Sequence, residues 1–257
     1  MRDTLINTLV LFIVVAVAVT VGCGNKKLSV SLAKQKDAKS SYDLAMAFFK
    51  SDKGPQAIGE MLEASKLDPY SAEIQNGLGL LYYHKERFEK SEAAYKKAIE
   101  LDPAYSDARH NLGTLYLYLG RYPEAVSQFN EALTNDTYRN QANTLNSLGW
   151  AHFKMQDYVV AEKHFKEVIK RDRKYLIAYD NLAKVYMATN RIDDAILQLG
   201  YVFKQAPFYP EANLDMGICM LKKSNQVKAR EHFLKVLQVD PTGKLGAQAQ
   251  EYLNLLE

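Results

Sequence analysis

The sequence predicts an all-α protein, a solenoid in which six similar pairs of amphipathic helices follow one another. Two regularities predict it. A small residue recurs at intervals of 34, 34, 36, 34 and 34, at Ala45, Gly79, Gly113, Gly149, Ala183 and Gly217. A second small residue is followed four positions later by a large one, in the pairs Ala57/Met61, Ser91/Tyr95, Ala125/Phe129, Ala161/Phe165, Ala195/Leu199 and Ala229/Phe233. A period of this length is the signature of stacked repeats, because a single unit cannot bury its apolar face alone.

The composition is that of an ordinary globular protein. Of 257 residues, 47% are hydrophobic and 25% are charged, and the net charge is only +3. A nucleic-acid-binding protein usually shows a clustered basic excess, so we expect no nucleic-acid partner. The two cysteines, Cys23 and Cys219, are too few for a disulfide framework.

The first element is an apolar segment at residues 1–22. Its run from Leu9 to Val21 contains about thirteen mostly apolar residues, which matches the core of a signal peptide and is short for a membrane span of roughly 20. Small residues then precede Cys23. This ending resembles the bacterial lipobox, which implies that residues 1–22 are a lipoprotein signal peptide and that Cys23 carries acyl chains such as palmitate. An uncleaved N-terminal anchor is the alternative, because apolar residues extend back to Leu5.

The residues after Cys23 suggest where the protein is held. Gly24, in place of Asp, favours the outer membrane by resemblance to the sorting rule of enteric bacteria. Residues 24–37 are polar and rich in lysine, without a helical apolar stripe. We therefore predict that residues 23–37 form an acylated cysteine and a flexible tether.

The repeats occupy residues 38–241, at approximately 38–71, 72–105, 106–139, 142–175, 176–209 and 210–243. Pro55 and Pro123 fall in the first turn of their second helices, where proline is tolerated. Gly120 and Asn190 fit the left-handed residue that closes a first helix. The 36-residue interval places two extra residues near positions 138–143, either as a longer loop or as a local change in superhelix geometry. Residues 244–257 are predicted to be a capping helix, with Leu245, Tyr252, Leu253 and Leu256 covering the last repeat.

This spacing resembles the tetratricopeptide repeat, a helix–turn–helix unit of 34 residues. The resemblance covers residues 38–241 and implies a right-handed superhelical solenoid whose first helices line a concave surface. The face of those helices opposite the packing residues is unusually apolar, although it also includes Asp180 and Lys184. An apolar surface of this extent normally marks a partner site.

We name the apolar members of this face the inner stripe and predict that they bind a protein. They are Tyr42, Met46, Phe49, Leu80, Tyr83, Leu117, Trp150, Phe153, Met187, Ile218 and Leu221. Trp150, the only tryptophan, lies near the centre, and tryptophan is enriched at binding hot spots. The alternative is that curvature buries part of the stripe in the groove wall. Asn111 and Asn181 match a position that binds peptide backbone in some members of the family, although structural asparagines are also common there.

No catalytic pattern is present in the sequence. The five histidines show no metal-ligand spacing, and Gly77-Leu78-Gly79 falls within a predicted helix instead of a phosphate-binding loop. We expect no enzyme activity, no cofactor, no metal and no small-molecule substrate.

An acylated cysteine, a short tether and six such repeats together resemble the pilotin lipoproteins of type IV pili, the PilF, PilW and Tgl group. The resemblance implies a lipid-anchored protein of the bacterial outer membrane, facing the periplasm, that binds subunits of the pilus secretin. It would promote their localisation and multimer assembly and so support pilus-dependent motility. The alternative is a general outer-membrane scaffold, for example one that recruits peptidoglycan hydrolases as NlpI-like lipoproteins do.

Overall fold

The computed structural model describes residues 30–256, and this part of the chain consists of thirteen α-helices and their connections. The all-α prediction is confirmed. The predicted signal peptide, Cys23 and most of the tether lie outside the described residues. Within residues 30–256, no helix combines the length and the apolar character that a membrane span requires. The chain divides into two compact units, the first ending at Leu101 and the second beginning at Asp102.

The first unit contains the first two repeats. Its helices are α1 (Leu32–Lys50), α2 (Gly54–Leu67), α3 (Ala72–His84) and α4 (Phe88–Leu101). Helix α1 begins six residues before the predicted start of the repeats, so residues 32–37 are helical and do not belong to a flexible tether. Ser31 caps this helix, since its hydroxyl accepts a hydrogen bond from the Lys34 amide at 3.4 Å. The extension was missed because residues 32–37 are all exposed and leave no apolar stripe in the sequence.

The second unit contains the other four repeats and a final helix. Its helices are α5 (Ser106–Tyr118), α6 (Tyr122–Leu133), α7 (Gln141–Lys154), α8 (Tyr158–Arg171), α9 (Leu176–Ala188), α10 (Ile192–Phe203), α11 (Pro210–Lys222), α12 (Gln226–Val239) and α13 (Lys244–Asn254). Helix α13 packs Leu253 into a core with Phe233 and Val236 of α12. Stacking of each helix pair on its neighbour therefore buries the apolar faces within the unit.

The recurring small residues allow the two helices of a repeat to approach closely. A Cβ atom added to Gly113 would lie 2.7 Å from the ring of Phe129, and one added to Gly149 would lie 2.8 Å from that of Phe165. The same contact recurs between Gly79 and Tyr95 at 2.4 Å and between Gly217 and Phe233 at 2.3 Å. Distances below 3 Å leave no room for a side chain. In each of these four repeats, the aromatic ring of the second helix therefore occupies the space that the glycine leaves empty.

A residue in the left-handed conformation closes the first helix in all six repeats. These residues are Asp52, Glu86, Gly120, Gln156, Asn190 and Ser224, with φ between 55° and 74°. In every repeat the next amide donates to the carbonyl five residues back, as Arg191 does to Tyr186 at 2.7 Å. The prediction for Gly120 and Asn190 is confirmed. Glu86, Gln156 and Ser224 were missed because these residue types rarely adopt this conformation, and at Asp52 the tolerance that Asp shares with Asn was overlooked.

The two extra residues between the third and fourth repeats form a longer loop between α6 and α7. The Tyr138 hydroxyl and the Asn140 side-chain amide both donate to Asp107 Oδ1, each at 3.1 Å. Burial raises the pKa of Tyr138 to about 12, so it remains a hydrogen-bond donor at physiological pH. The loop is thus fixed to the first turn of α5. A change in superhelix geometry at this place stays a prediction.

Candidate protein-binding surface

All eleven residues of the inner stripe lie on first helices, and all eleven side chains are half-buried. Tyr42, Met46, Phe49, Leu80 and Tyr83 belong to the first unit, and the other six belong to the second. Each of these side chains contributes to packing while part of its surface stays accessible. The burial pattern is compatible with a binding surface and also with partial burial in a groove wall, so the stripe stays a prediction.

In the first unit, aromatic side chains of α1 lie against α3. The Tyr42 ring would be 3.1 Å from a Cβ on Gly77, which shows how closely it crosses α3. The ammonium group of Lys39 lies 4.4 Å from the centre of the same ring. Phe49 meets the His84 ring edge-to-face, with ring centres 4.7 Å apart. The Tyr42 and Phe49 rings of the stripe are therefore held by defined contacts with neighbouring side chains.

In the second unit, Trp150 and Phe153 of α7 form a stacked pair. Their ring centres are 4.9 Å apart and the ring planes differ by 12°. They are three positions apart on one helix, a spacing that places side chains next to each other. Both rings pack on a core that includes Tyr186 and Leu199, and Lys154 lies 5.1 Å from the Trp150 ring. The pair is therefore a preorganised apolar surface that is partly accessible to solvent and packs on the buried core.

In the last two repeats, the helix face that carries the inner stripe also contains charged residues. Asp180 and Lys184 of α9 and Asp215 of α11 form a buried charged cluster, here named the acidic triad. The Lys184 ammonium pairs with Asp180 Oδ2 and lies 2.9 Å from Asp215 Oδ2. The side chains of Asp180 and Asp215 are only 4% and 11% exposed. Asp215 was not predicted from the sequence, although one Asp inside the otherwise apolar centre of α11 was a usable signal.

Burial makes the acidic triad titrate unusually. It raises the pKa of Asp180 to about 6, against the opposing effect of Lys184, and it also raises the pKa of Asp215. The two carboxylates in turn raise the pKa of Lys184 and outweigh its burial. One ammonium faces two carboxylates, so the triad carries a net charge of −1 when both are ionised.

A cleft of about 500 Å³ lies between α9, α11 and α13, next to the triad. Its lining residues are Lys184, Glu211, Leu214, Asp215, Ile218, Leu245, Gln248, Glu251, Tyr252 and Leu255. Ile218 is the one inner-stripe residue among them. We name this feature the C-terminal cleft; it joins apolar walls to three carboxylates and one ammonium group.

Other residues singled out from the sequence have structural contacts. Asn181 is buried, and its side-chain amide donates to the side-chain oxygen of Asn146 at 3.1 Å. Cys219 is fully buried, and burial raises the pKa of its thiol to about 12, which leaves it protonated. Among residues 30–256, no group of three or more His, Cys, Asp or Glu side chains is placed to hold a metal ion.

The class of protein follows from the helix pairs and from the sequence itself. The sequence matches the tetratricopeptide repeat family over residues 70–137, 107–174 and 181–244, which together are more than half of the chain. The protein therefore belongs to the tetratricopeptide repeat family. A search of curated proteins found no match.

Solved structures give more particular similarities. The structure of PilF from Pseudomonas aeruginosa has a TM-score of 0.75 and 16% identity, covering 86% of this chain and 99% of that one. The structure of PilW, described as a widely conserved type IV pilus biogenesis factor, has a TM-score of 0.77 and 19% identity, covering 84% and 98%. YrrB, described as a tetratricopeptide protein with an unusual peptide-binding site, has a TM-score of 0.55 and 22% identity, covering 74% and 97%. At these identities the likeness establishes the fold alone.

Proposed function

We propose that this protein is a pilotin, a type IV pilus biogenesis lipoprotein that binds secretin subunits and promotes their outer-membrane localisation and multimer assembly. The extent of the structural likeness carries the proposal. PilF and PilW are each matched over almost their entire length. YrrB, which is also matched over almost its entire length, has a lower TM-score of 0.55.

The proposed mechanism assigns two tasks to two separate parts of the chain. An amphipathic secretin segment would lay its apolar face on the stacked rings of Trp150 and Phe153, which are already held in place and lose little freedom on binding. Acyl chains on Cys23 would keep the complex at the membrane, since each buried methylene contributes about 0.8 kcal/mol. Residues 24–31 precede α1 and would span at most about 28 Å when extended.

A deletion strain tests the function as a whole. We expect surface pili to be lost and the secretin to migrate as monomer, without multimers that resist detergent. Normal secretin multimers would contradict the proposal, and altered cell-wall turnover in the same strain would favour the hydrolase-recruiting scaffold.

Two substitutions test the two tasks separately. Cys23→Ala is expected to move the protein from the membrane to the soluble envelope fraction, and unchanged fractionation would contradict acylation at that residue. Trp150→Lys places a charge on the apolar pair and is expected to weaken secretin capture while the far-ultraviolet circular dichroism spectrum stays that of wild type. Undiminished capture would show that the binding surface lies elsewhere.

A further inference from the structure

The C-terminal cleft has features that the stacking of repeats does not require. It lies within the second unit, over α11 and between α9 and α13, and its volume of about 500 Å³ is in the range of sites that hold a ligand. Packing alone would favour apolar side chains at these positions, because a buried ion pair is seldom more stable than apolar residues of similar volume. Charged groups retained here therefore call for a functional explanation.

The charges of the cleft are unbalanced. The one ammonium group on its wall, that of Lys184, is shared between the carboxylates of Asp180 and Asp215. Glu211 and Glu251 line the same space, and their side chains form no ion pair with any residue between 30 and 256. The cleft thus has an excess of negative charge in partly desolvated surroundings, where Coulomb interactions are stronger than in water.

A buried oxygen behind the cleft wall also lacks a partner. Asp180 Oδ1 is inaccessible to solvent and accepts no hydrogen bond from any residue in the described part of the chain. An unsatisfied buried carboxylate oxygen carries an uncompensated desolvation cost. A positive charge bound in the cleft would reduce this cost through its field, even without direct contact.

The remaining lining residues, apart from Gln248, are largely apolar. Leu214 and Ile218 of α11 face Leu245, Tyr252 and Leu255 from the region of α13. Leu255 is 80% exposed, so its side chain is accessible to a ligand in the cleft. A suitable ligand therefore carries apolar groups next to its positive charge.

We propose that the C-terminal cleft binds a lysine or arginine side chain of a partner protein, flanked in that partner by apolar residues. The basic group lies among Glu211, Asp215 and Glu251, while the flanking residues contact Ile218 and Tyr252. Charge complementarity selects the basic residue, and the apolar walls select its neighbours. Ile218 also belongs to the inner stripe, so one segment can occupy both. The inference rests on the proposed function only in taking a protein segment as the ligand.

The experiment measures binding of labelled peptides to the detergent-purified protein by fluorescence anisotropy. Three peptides carry leucine on both sides of a central position, which is Lys, Gln or Glu. We expect the Lys peptide to bind about tenfold more tightly than the Gln peptide, and the Glu peptide to bind most weakly. The Lys preference is expected to shrink as salt rises, since exposed charges are screened.

Paired substitutions locate the effect. The double variant Glu211→Gln, Glu251→Gln keeps the shape of the cleft and leaves the triad untouched, so it is expected to bring the Lys and Gln peptides to similar affinities. The matched control is Glu231→Gln, an exposed residue of α12 outside the cleft, and it is expected to leave the Lys preference unchanged.

Three results would overturn the inference: equal affinities of the wild type for all three peptides, no binding up to about 5 mM, or an unchanged Lys preference in the double variant. Failure here is separable from failure of the proposed function. If the double variant captured secretin as well as the wild type does, the inference would fail and the pilotin function would stand. If a deletion strain kept normal secretin multimers, the pilotin function would fail, and the peptide preference of the cleft would be unaffected.

Discussion

The first helices of the fourth, fifth and sixth repeats occupy equivalent positions in the second unit, but their inner faces carry different kinds of side chain. In the fourth repeat, Trp150 and Phe153 form a partly exposed apolar pair. In the fifth and sixth, the acidic triad places one ammonium and two carboxylates in an almost buried position. Apolar contact is non-directional, whereas buried charges depend on each partner being present. The repeat therefore fixes the helix positions and leaves the chemistry of the inner face free to vary.

The largest effect is expected from breaking the acidic triad. Lys184→Met removes the only ammonium between Asp180 and Asp215 and leaves two buried carboxylates together, which should lower the free energy of unfolding by about 3–5 kcal/mol. Urea unfolding measures this change. Lys170→Met, at an exposed position of α8, is the control and should change stability by less than about 0.5 kcal/mol. Equal stability of the two variants would show that the triad does not depend on Lys184.

At the apolar pair of Trp150 and Phe153 we expect the main effect of a substitution to be on partner binding, not on stability. Trp150→Ala should weaken partner binding by about 2 kcal/mol or more, roughly 30-fold, because truncated hot-spot aromatics lose their whole contact area. A pull-down titration measures this loss, with Leu197→Ala on the exposed side of α10 as the control. If Leu197→Ala weakened binding as strongly, the inner stripe would lose its special role.

The free energy of unfolding should also depend on pH because of the acidic triad, an effect that the apolar pair does not produce. The pKa of Asp180 is raised to about 6 in the folded state, above the value of 3.8 for a free side chain, so the folded protein binds this proton more tightly than the unfolded chain. The stabilising contribution is complete below about pH 4 and is lost as pH rises through 6, by at most about 3 kcal/mol. Lys184, Asp215 and Glu211 influence the same titration.

Asp180→Asn isolates that effect, because the amide does not titrate. Unfolding free energies measured from pH 4 to 7 should fall less steeply with rising pH in the variant than in the wild type. Some slope should persist in the variant, since burial also raises the pKa of Asp215. Identical slopes in the two proteins would mean that Asp180 is already ionised at pH 4.

The smallest effect is expected from Phe153→Leu. The substitution keeps an apolar side chain but removes the stacking on Trp150, which is worth about 0.5–1.5 kcal/mol. A double-mutant cycle with Trp150→Leu measures this coupling directly. A coupling energy near zero would indicate that the two rings act independently.

The sequence predicts features that follow from residue type and spacing, and it misses features that tertiary packing imposes. The spacing of Gly113 and Phe129 was enough to place two helices in contact, since small and large residues alternate in every repeat. The left-handed conformation was predictable at Gly120, yet at Glu86 the stacking of the surrounding helices imposes a conformation that the residue itself disfavours. Local preference and tertiary packing agree at the first position and conflict at the second.

The candidate site shows the same limit. The inner stripe followed from the resemblance to the tetratricopeptide repeat together with helical periodicity, because its members on each helix are three or four residues apart. The contact between Lys184 and Asp215 joins side chains on two different helices, which no periodicity along one helix can reveal. The C-terminal cleft likewise depends on where α13 comes to lie against α11. Features formed by helices distant in sequence required the structure.

The most direct test of the account is site-specific photo-crosslinking in the native cell envelope. A photoreactive phenylalanine analogue would replace either Trp150 of the inner stripe or Val159, which is 81% exposed on the second helix of the same repeat. If the inner stripe binds secretin, we expect a crosslink to a secretin subunit from position 150 and none from position 159. A secretin crosslink from position 159 alone would contradict it.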